Sequence, residues 1–420
     1  MSTRLPAPPE LERPAPEPEH PAGMPRGPRL VIILGALSAF GPLSIDMYLP
    51  ALPALGRDFG AGASETQLTL SACLVGLALG QMIGGPISDA LGRRRPLLLG
   101  VAAYALASLL CVVAPSIGAL VGLRVVQGFT GAVGIVIARA VVRDLYSGVA
   151  LARFFSLLML VNGLAPILAP VIGAQLLHFT SWRGVFVTLG VAGALLFFAA
   201  TRLVETLPPA SRQTGGIPAT LSTFRRLLTD RSFVGYALAG GLAFAGMFSY
   251  ISGSPFVLQG IYGVSPQGFS IFFGTNALGL VVAGQINGRL VGRVPVRRLL
   301  ALGLIGTASG GMALLAVVLL GAGLVGILPA LFLVVASLGF VFPNATTLAL
   351  AGHPRTAGSA SALLGVLQYA VGAVAAPLAG LSTRLSALPM AVVIAAMSLS
   401  ALITFLLLPA RGAASSRHDS

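Results

Sequence analysis

The sequence predicts an all-α membrane protein with 12 transmembrane helices in two six-helix bundles, and three observations carry that prediction. Of the 420 residues, 56% are hydrophobic and 9% charged, where a soluble domain carries about 25% charged residues. Apolar runs long enough to cross a bilayer, about 20 residues each, recur along the chain between Gly, Pro and Arg. All 26 basic residues are arginine, and they gather on one side of the predicted membrane. A β-barrel would need alternating strands of about ten residues; these runs are too long and too continuous for that.

Residues 1–28 are Pro-rich and apolar-poor and read as a disordered cytoplasmic tail. The tail lacks a signal peptide's short apolar core and cleavage site, so the run starting at Leu30 reads as a retained first span. Spans are predicted near 30–53, 66–88, 96–114, 117–141, 153–177 and 184–203, forming a first bundle over 29–203. A polar stretch at 204–232, with Pro208, Pro209, Gly215 and Gly216, reads as a cytoplasmic linker. Spans near 233–256, 267–290, 297–318, 323–348, 358–381 and 386–409 form the second bundle over 233–409, and 410–420 is a short cytoplasmic tail. With both ends inside, 22 arginines fall on inner segments, Arg57, Arg183 and Arg384 on outer loops, and Arg124 within a span. This bias fixes the orientation and explains the net charge of +14 without nucleic acid. The halves echo each other: Gly80-Gln81 before Gly92-Arg93, and Gly284-Gln285 before Gly292-Arg293. Such repeats are typical of transporter folds.

Residue types exclude several chemistries. Without lysine there is no Walker-type ATPase and no lysine Schiff base. Cys73 and Cys111 sit inside apolar runs, and the four histidines are too scattered to hold a metal. No acid–base cluster of an enzyme is present, and no metal or cofactor is expected. Asp46 alone among the acids falls inside an apolar run, in the outer half of span one. A carboxyl at that depth is a functional candidate by default. Low dielectric favours its neutral form, so it can take a proton from one side and release it to the other. Arg124 is the matching cation in span four, with backbone carbonyls, Gln127 or, transiently, Asp46 as partners. Pro166 and Pro170 in span five bend the helix, and Gly163 and Gly173 permit close approach. Tyr48, Asn162, Met247, Phe248, Tyr250, Phe340, Asn344 and Tyr369 are candidates for an adaptable, mostly apolar pocket.

Four segments resemble the major facilitator superfamily, closest to its twelve-span drug:proton antiporters of the Bcr/CflA type. Gly85-Pro-Ile-Ser-Asp89-Ala-Leu-Gly92-Arg93-Arg94 is similar to the signature loop whose aspartate and arginines form an inner latch holding the outward-facing state. Arg124-Val-Val-Gln127-Gly128-Phe-Thr-Gly131 resembles the span-four motif whose arginine is implicated in proton coupling. Ser44-Ile-Asp46-Met-Tyr48-Leu-Pro50-Ala-Leu-Pro53 is similar to the Bcr/CflA span-one motif, and Asn162 to Gly173, with Pro166 and Pro170, resembles that group's antiporter motif. Two departures stand out. Ala90 replaces the usual basic residue after the loop aspartate, and Leu34–Ser44 lacks the second acid of some relatives. The second departure points to neutral amphiphiles such as phenicol or bicyclic antibiotics.

The resemblance implies the major facilitator fold and a monomeric, proton-coupled exporter of small drugs in a bacterial inner membrane. Its partners are then the drug, the lipid and the proton. A facilitator or importer of a metabolite on the same fold is the alternative, and a non-transport membrane scaffold a remote one.

Overall fold

In this computed structural model the chain is described over residues 28–212, 216–353, 356–381 and 386–408. The two predicted tails lie outside the described residues, apart from Pro28. Span one is broken. It runs as α1 (Pro28–Ser38), α2 (Phe40–Asp46), a 3-10 turn at Leu49–Ala51 and α3 (Leu52–Phe59), with a bend of 47° after Ser38. Proline explains both breaks. Pro42 cannot donate to the Ser38 carbonyl, and Pro50 cannot donate to that of Asp46, so the helical ladder fails at each point.

Spans two to six are α4 (Ala63–Leu91), α5 (Arg94–Val112), α6 (Ile117–Leu145), α7 (Gly148–Leu176) and α8 (Trp182–Ala200). The region expected as linker holds α9 (Gly216–Leu228), whose Phe224 and Leu227 are buried against the second half. Spans seven to twelve are α10 (Arg231–Pro255, continued by a π-helical turn to Ile261), α11 (Pro266–Leu290), α12 (Val296–Leu319), α13 (Gly323–Leu350), α14 (Ala357–Leu378) and α15 (Leu388–Leu407). Among the described residues, 11 single helices are long and apolar enough to cross a membrane, and the bent pair of span one makes 12.

Small residues set how closely the helices pack. A methyl group at Gly76 or Gly80 of α4 would overlap the backbone of α6, and one at Gly128 of α6 would overlap that of Cys73. The two helices therefore meet backbone to backbone. The second half repeats the device where Gly339 of α13 meets the backbone of α11 at Leu280 and Gly284. The loop glycines also match: Gly92 has φ +90° and Gly292 φ +87°, a region that side chains disfavour. The sequence echo is thus a repeat in backbone geometry.

The halves touch along α4·α14 and α7·α11. The end with the α3–α4 and α10–α11 turns is the outer end on the arginine distribution, and it is sealed. Ser64 Oγ donates to the Pro377 carbonyl at 3.0 Å, and Gln67 Nε2 donates to that of Ser252 at 3.1 Å. From the other half, Gln267 Nε2 donates to the Ala174 carbonyl at 3.0 Å and Ser270 Oγ to that of Pro170 at 2.8 Å. Ser64 and Gln267 open equivalent helices, and the same sequence offset separates Ala174 from Pro377. The seal is a pseudo-symmetric, uncharged clasp.

Candidate functional site

A cavity of about 240 Å³ lies between the halves. The first half gives it α1, α2, α4, α6 and α7, through Ser38, Ile45, Asp46, Gln81, Arg139, Asn162 and Pro166 among others. The second half gives an aromatic wall from α10, α11 and α14, including Phe244, Phe248, Tyr250, Phe273 and Tyr369. Phe244 stacks on Phe248 with ring centres 6.0 Å apart, and Tyr250 on Phe273 at 5.5 Å.

Asp46 ends α2 at the second break of span one and is 5% exposed. It lines the cavity and has no hydrogen-bond or ion-pair partner among the described residues. The proline motif of span five reaches this place too. A methyl group at Gly173 would overlap the carbonyl of Met47, the residue after Asp46, so α7 rests directly on the broken segment.

Arg124 is fully buried and does not pair with Asp46. Its guanidinium donates to the Ser44 carbonyl at 2.7 Å, to the Thr69 carbonyl at 3.3 Å and to Gln127 Oε1. The Tyr48 ring lies 4.6 Å and the Phe186 ring 5.6 Å from its charged carbon. Buried charge without a counter-ion is costly. Carbonyl dipoles and aromatic faces are what remain to offset that cost. Gln127 Nε2 donates onward to Ser108 Oγ at 2.8 Å, and the Ser44 and Tyr104 hydroxyls bond at 2.7 Å. Arg124 is therefore tied to Asp46 only indirectly, through the backbone of the same turn of α2.

Three predicted pocket residues lie elsewhere. Tyr48 is consumed as the floor under Arg124 and bonds Thr69. Phe340 packs with its Cβ against Gly303 of α12, where a side chain would strike it at 2.8 Å. Asn344 is 1% exposed and donates to Asn287 Oδ1 at 2.6 Å, so its amide is spent inside the second half. Asn162, Met247, Phe248, Tyr250 and Tyr369 do line the cavity, with Asp46 and Pro166. Pro170 meets the second half through its carbonyl, which accepts from Ser270.

The sequence reading missed Arg139, counted there among inner-side arginines. Helix α6 continues to Leu145, which places Arg139 on the cavity wall. Ile135, one turn earlier on the same helical face, is also in the wall.

At the inner end Arg93 forms a hub. It pairs with Asp89 and with Asp144, the latter at 2.9 Å, and reaches Ser88 Oγ at 2.9 Å. Burial alone would lower the Arg93 pKa, but the two carboxylates outweigh it and hold the pKa above the ordinary value. Glu205 was missed as part of this loop. It accepts from the backbone N–H of Arg93 at 2.7 Å and of Arg94 at 3.1 Å, capping α5. Burial pushes the Glu205 carboxyl up, yet these bonds, that of Leu207 and nearby Arg212 bring it below the usual range. A side chain at Gly92 would strike Glu205, with Cβ 2.5 Å from Oε2. Gly85, the first motif glycine, has Val136 3.7 Å from where its Cβ would lie, an ordinary contact. Arg94 donates to the Leu203 carbonyl at 2.9 Å. Among the described residues, the bonds of this loop stay within the first half and the start of the linker.

A cavity between two pseudo-symmetric bundles, sealed at one end, is the architecture of a carrier. The sequence profile of the Major Facilitator Superfamily matches residues 34–377. This chain belongs to that family. It is similar to an uncharacterized MFS-type transporter, YdgK of Bacillus subtilis, with 44% identity over 86% of this chain and 90% of the relative. It is also similar to the bicyclomycin resistance protein homolog of Haemophilus influenzae, with 31% identity over 91% of this chain and 96% of that one. Among solved structures, the xylose transporter XylE of E. coli in a partially occluded inward open conformation shares the fold, with a TM-score of 0.70. The identity there is 12%, over 91% of this chain and 97% of the other. The protein is a multi-pass membrane protein of a transporter family.

Proposed function

We propose that this protein exports small amphipathic drugs, of the phenicol or bicyclic antibiotic kind, in exchange for protons. It works by alternating access in the bacterial inner membrane, as a monomer with both termini in the cytoplasm. One observation carries the reading: the Asp46 carboxyl lines the cavity without a partner among the described residues, at a proline-made break in its helix. The similarity to a bicyclomycin resistance protein homolog supports a drug as cargo, and the arginine bias supports the orientation.

With the cavity open outward, Asp46 takes a proton. Neutralising it removes the negative charge from the cavity wall and changes the field at the Ser44 carbonyl that Arg124 holds. Drug affinity falls and the carrier returns. In the outer-sealed state Asp46 gives its proton to the cytoplasm and drug binds again. Exchange requires proton and drug to oppose each other's binding, and linkage makes that opposition reciprocal. The Arg93 hub, with Asp89 and Gly92, is the part of the inner loop free to re-pair with the second half when the outer end opens.

The test is a drug-susceptibility panel in an efflux-deficient host, with drug accumulation measured with and without a proton uncoupler. Wild type should lower accumulation until the uncoupler is added. Asp46→Asn should fail to lower it while still reaching the membrane. Full resistance in Asp46→Asn, or accumulation that ignores the uncoupler, removes the proton from the account.

A further inference from the structure

We propose that Arg139 determines which compounds the cavity accepts, by holding a hydrogen-bond-accepting group of a neutral substrate and turning permanent cations away. This inference rests on the export reading above and names the substrate class of that same cavity. Among the described residues lining the cavity, Asp46 and Arg139 carry the only formal charges, and both come from the first half. The facing wall of the second half is aromatic and apolar. An amphipathic molecule therefore has one orientation open to it: polar group toward α2 and α6, apolar body on the rings of Phe244, Phe248 and Tyr250.

Three other inner-side cations are already engaged. Arg93 takes Asp89 and Asp144, Arg94 takes backbone carbonyls, and Arg297 bonds the Tyr236 hydroxyl at 2.9 Å. Arg139 has no carboxylate partner among the described residues, its side chain is exposed to the cavity, and Tyr369 stands within electrostatic reach. A guanidinium presents parallel N–H donors that fit nitro, carboxylate and carbonyl oxygens. It also keeps its charge at every physiological pH. The cavity wall is therefore neutral when Asp46 is ionised and singly positive when Asp46 is protonated. In neither state is it net negative, so nothing in the wall offsets the desolvation of a permanent cation entering a low-dielectric pocket, and the protonated state repels it. Acceptor-bearing neutral molecules meet no such barrier.

The experiment is equilibrium dialysis with the purified chain in lipid nanodiscs, without a proton gradient. The probes are chloramphenicol, neutral with nitro and amide acceptors, and tetraphenylphosphonium, a cation with none. Wild type should prefer chloramphenicol. In Arg139→Gln chloramphenicol should bind about tenfold more weakly, the scale expected when one charge-assisted hydrogen bond is removed, and tetraphenylphosphonium about tenfold more tightly, because the positive charge beside it is gone. Arg139→Lys should still exclude the cation while weakening chloramphenicol binding in part, which separates charge from fork geometry. The ratio of the two affinities within one sample is independent of the folded fraction. An unchanged ratio in Arg139→Gln, or wild type binding the cation as tightly as that variant, overturns the proposal. Because no gradient is present, that result leaves proton-driven export standing. Export that ignores Asp46 in the cellular assay leaves the Arg139 ratio standing in turn.

Discussion

Loosening the outer clasp should shift the protein toward a state open at its outer end. The perturbation is Ser64→Ala combined with Gln267→Ala, the pseudo-symmetric pair that donates to Pro377 and Ala174, each at 3.0 Å. A hydrogen bond of this kind contributes about 1 kcal/mol net. The two sit on different helices and share no partner, so their effects should add. A loss of about 2 kcal/mol from the sealed state is about a thirtyfold change in the equilibrium between sealed and open forms. The two carbonyls, left without donors only while the end is sealed, push the shift the same way. Spin labels at Arg57 and Tyr262, exposed near the outer ends of opposite halves, report the separation by double electron–electron resonance. A longer-distance population should appear in the double variant and partly in each single one. Thr275→Ala is the control, because that hydroxyl bonds the Ile271 carbonyl of its own helix. A distance distribution unchanged in the double variant, or changed equally by the control, would refute the clasp.

Other outcomes follow from the site. Gly173→Ala should abolish export and lower thermal stability, since the methyl forces α7 off the Met47 carbonyl; normal transport by that variant would show that the close approach is dispensable. Arg124→Lys should abolish most transport although the charge remains, because one ammonium cannot serve the Ser44, Thr69 and Gln127 acceptors from one position. Efflux assays at matched expression decide it. Glu205→Gln should lower the thermal midpoint at pH 7 by weakening the cap on α5, a loss of about 1–2 kcal/mol. The Glu205 pKa is held below its ordinary value, so its stabilisation is present above the unfolded pKa and fades as pH falls through the folded one. The gap between wild type and Glu205→Gln should therefore close on acidification from pH 7 into the carboxylate range, and a gap that widens would reverse the assignment.

Much of this was legible in the chain because lipid allows so few solutions. Long apolar runs must be helices, so the span pattern and the two bundles could be read from hydropathy. The broken first span was legible in Pro42 and Pro50, each of which deletes a specific hydrogen bond. Asp46 stood out because a carboxyl in an apolar run has no bland explanation as cheap as a functional one. The pocket was harder. Tyr48, Phe340 and Asn344 are polar or aromatic in spans, but a span has two kinds of interior face, one toward its own bundle and one toward the cavity. Composition does not distinguish them. Arg139 was hidden by the opposite error: an arginine near a helix end satisfies the topology rule, and only the length of α6 reveals that it faces the cavity. Glu205 caps α5 from more than a hundred residues away, a pairing that no local pattern encodes.

Proton release on drug binding tests the central claim most directly. The purified protein in weakly buffered nanodiscs is mixed with chloramphenicol and a pH-sensitive dye. Wild type should release protons as drug binds, and Asp46→Asn should bind the drug without releasing any. Equal release from both would place the coupling group elsewhere and contradict the account.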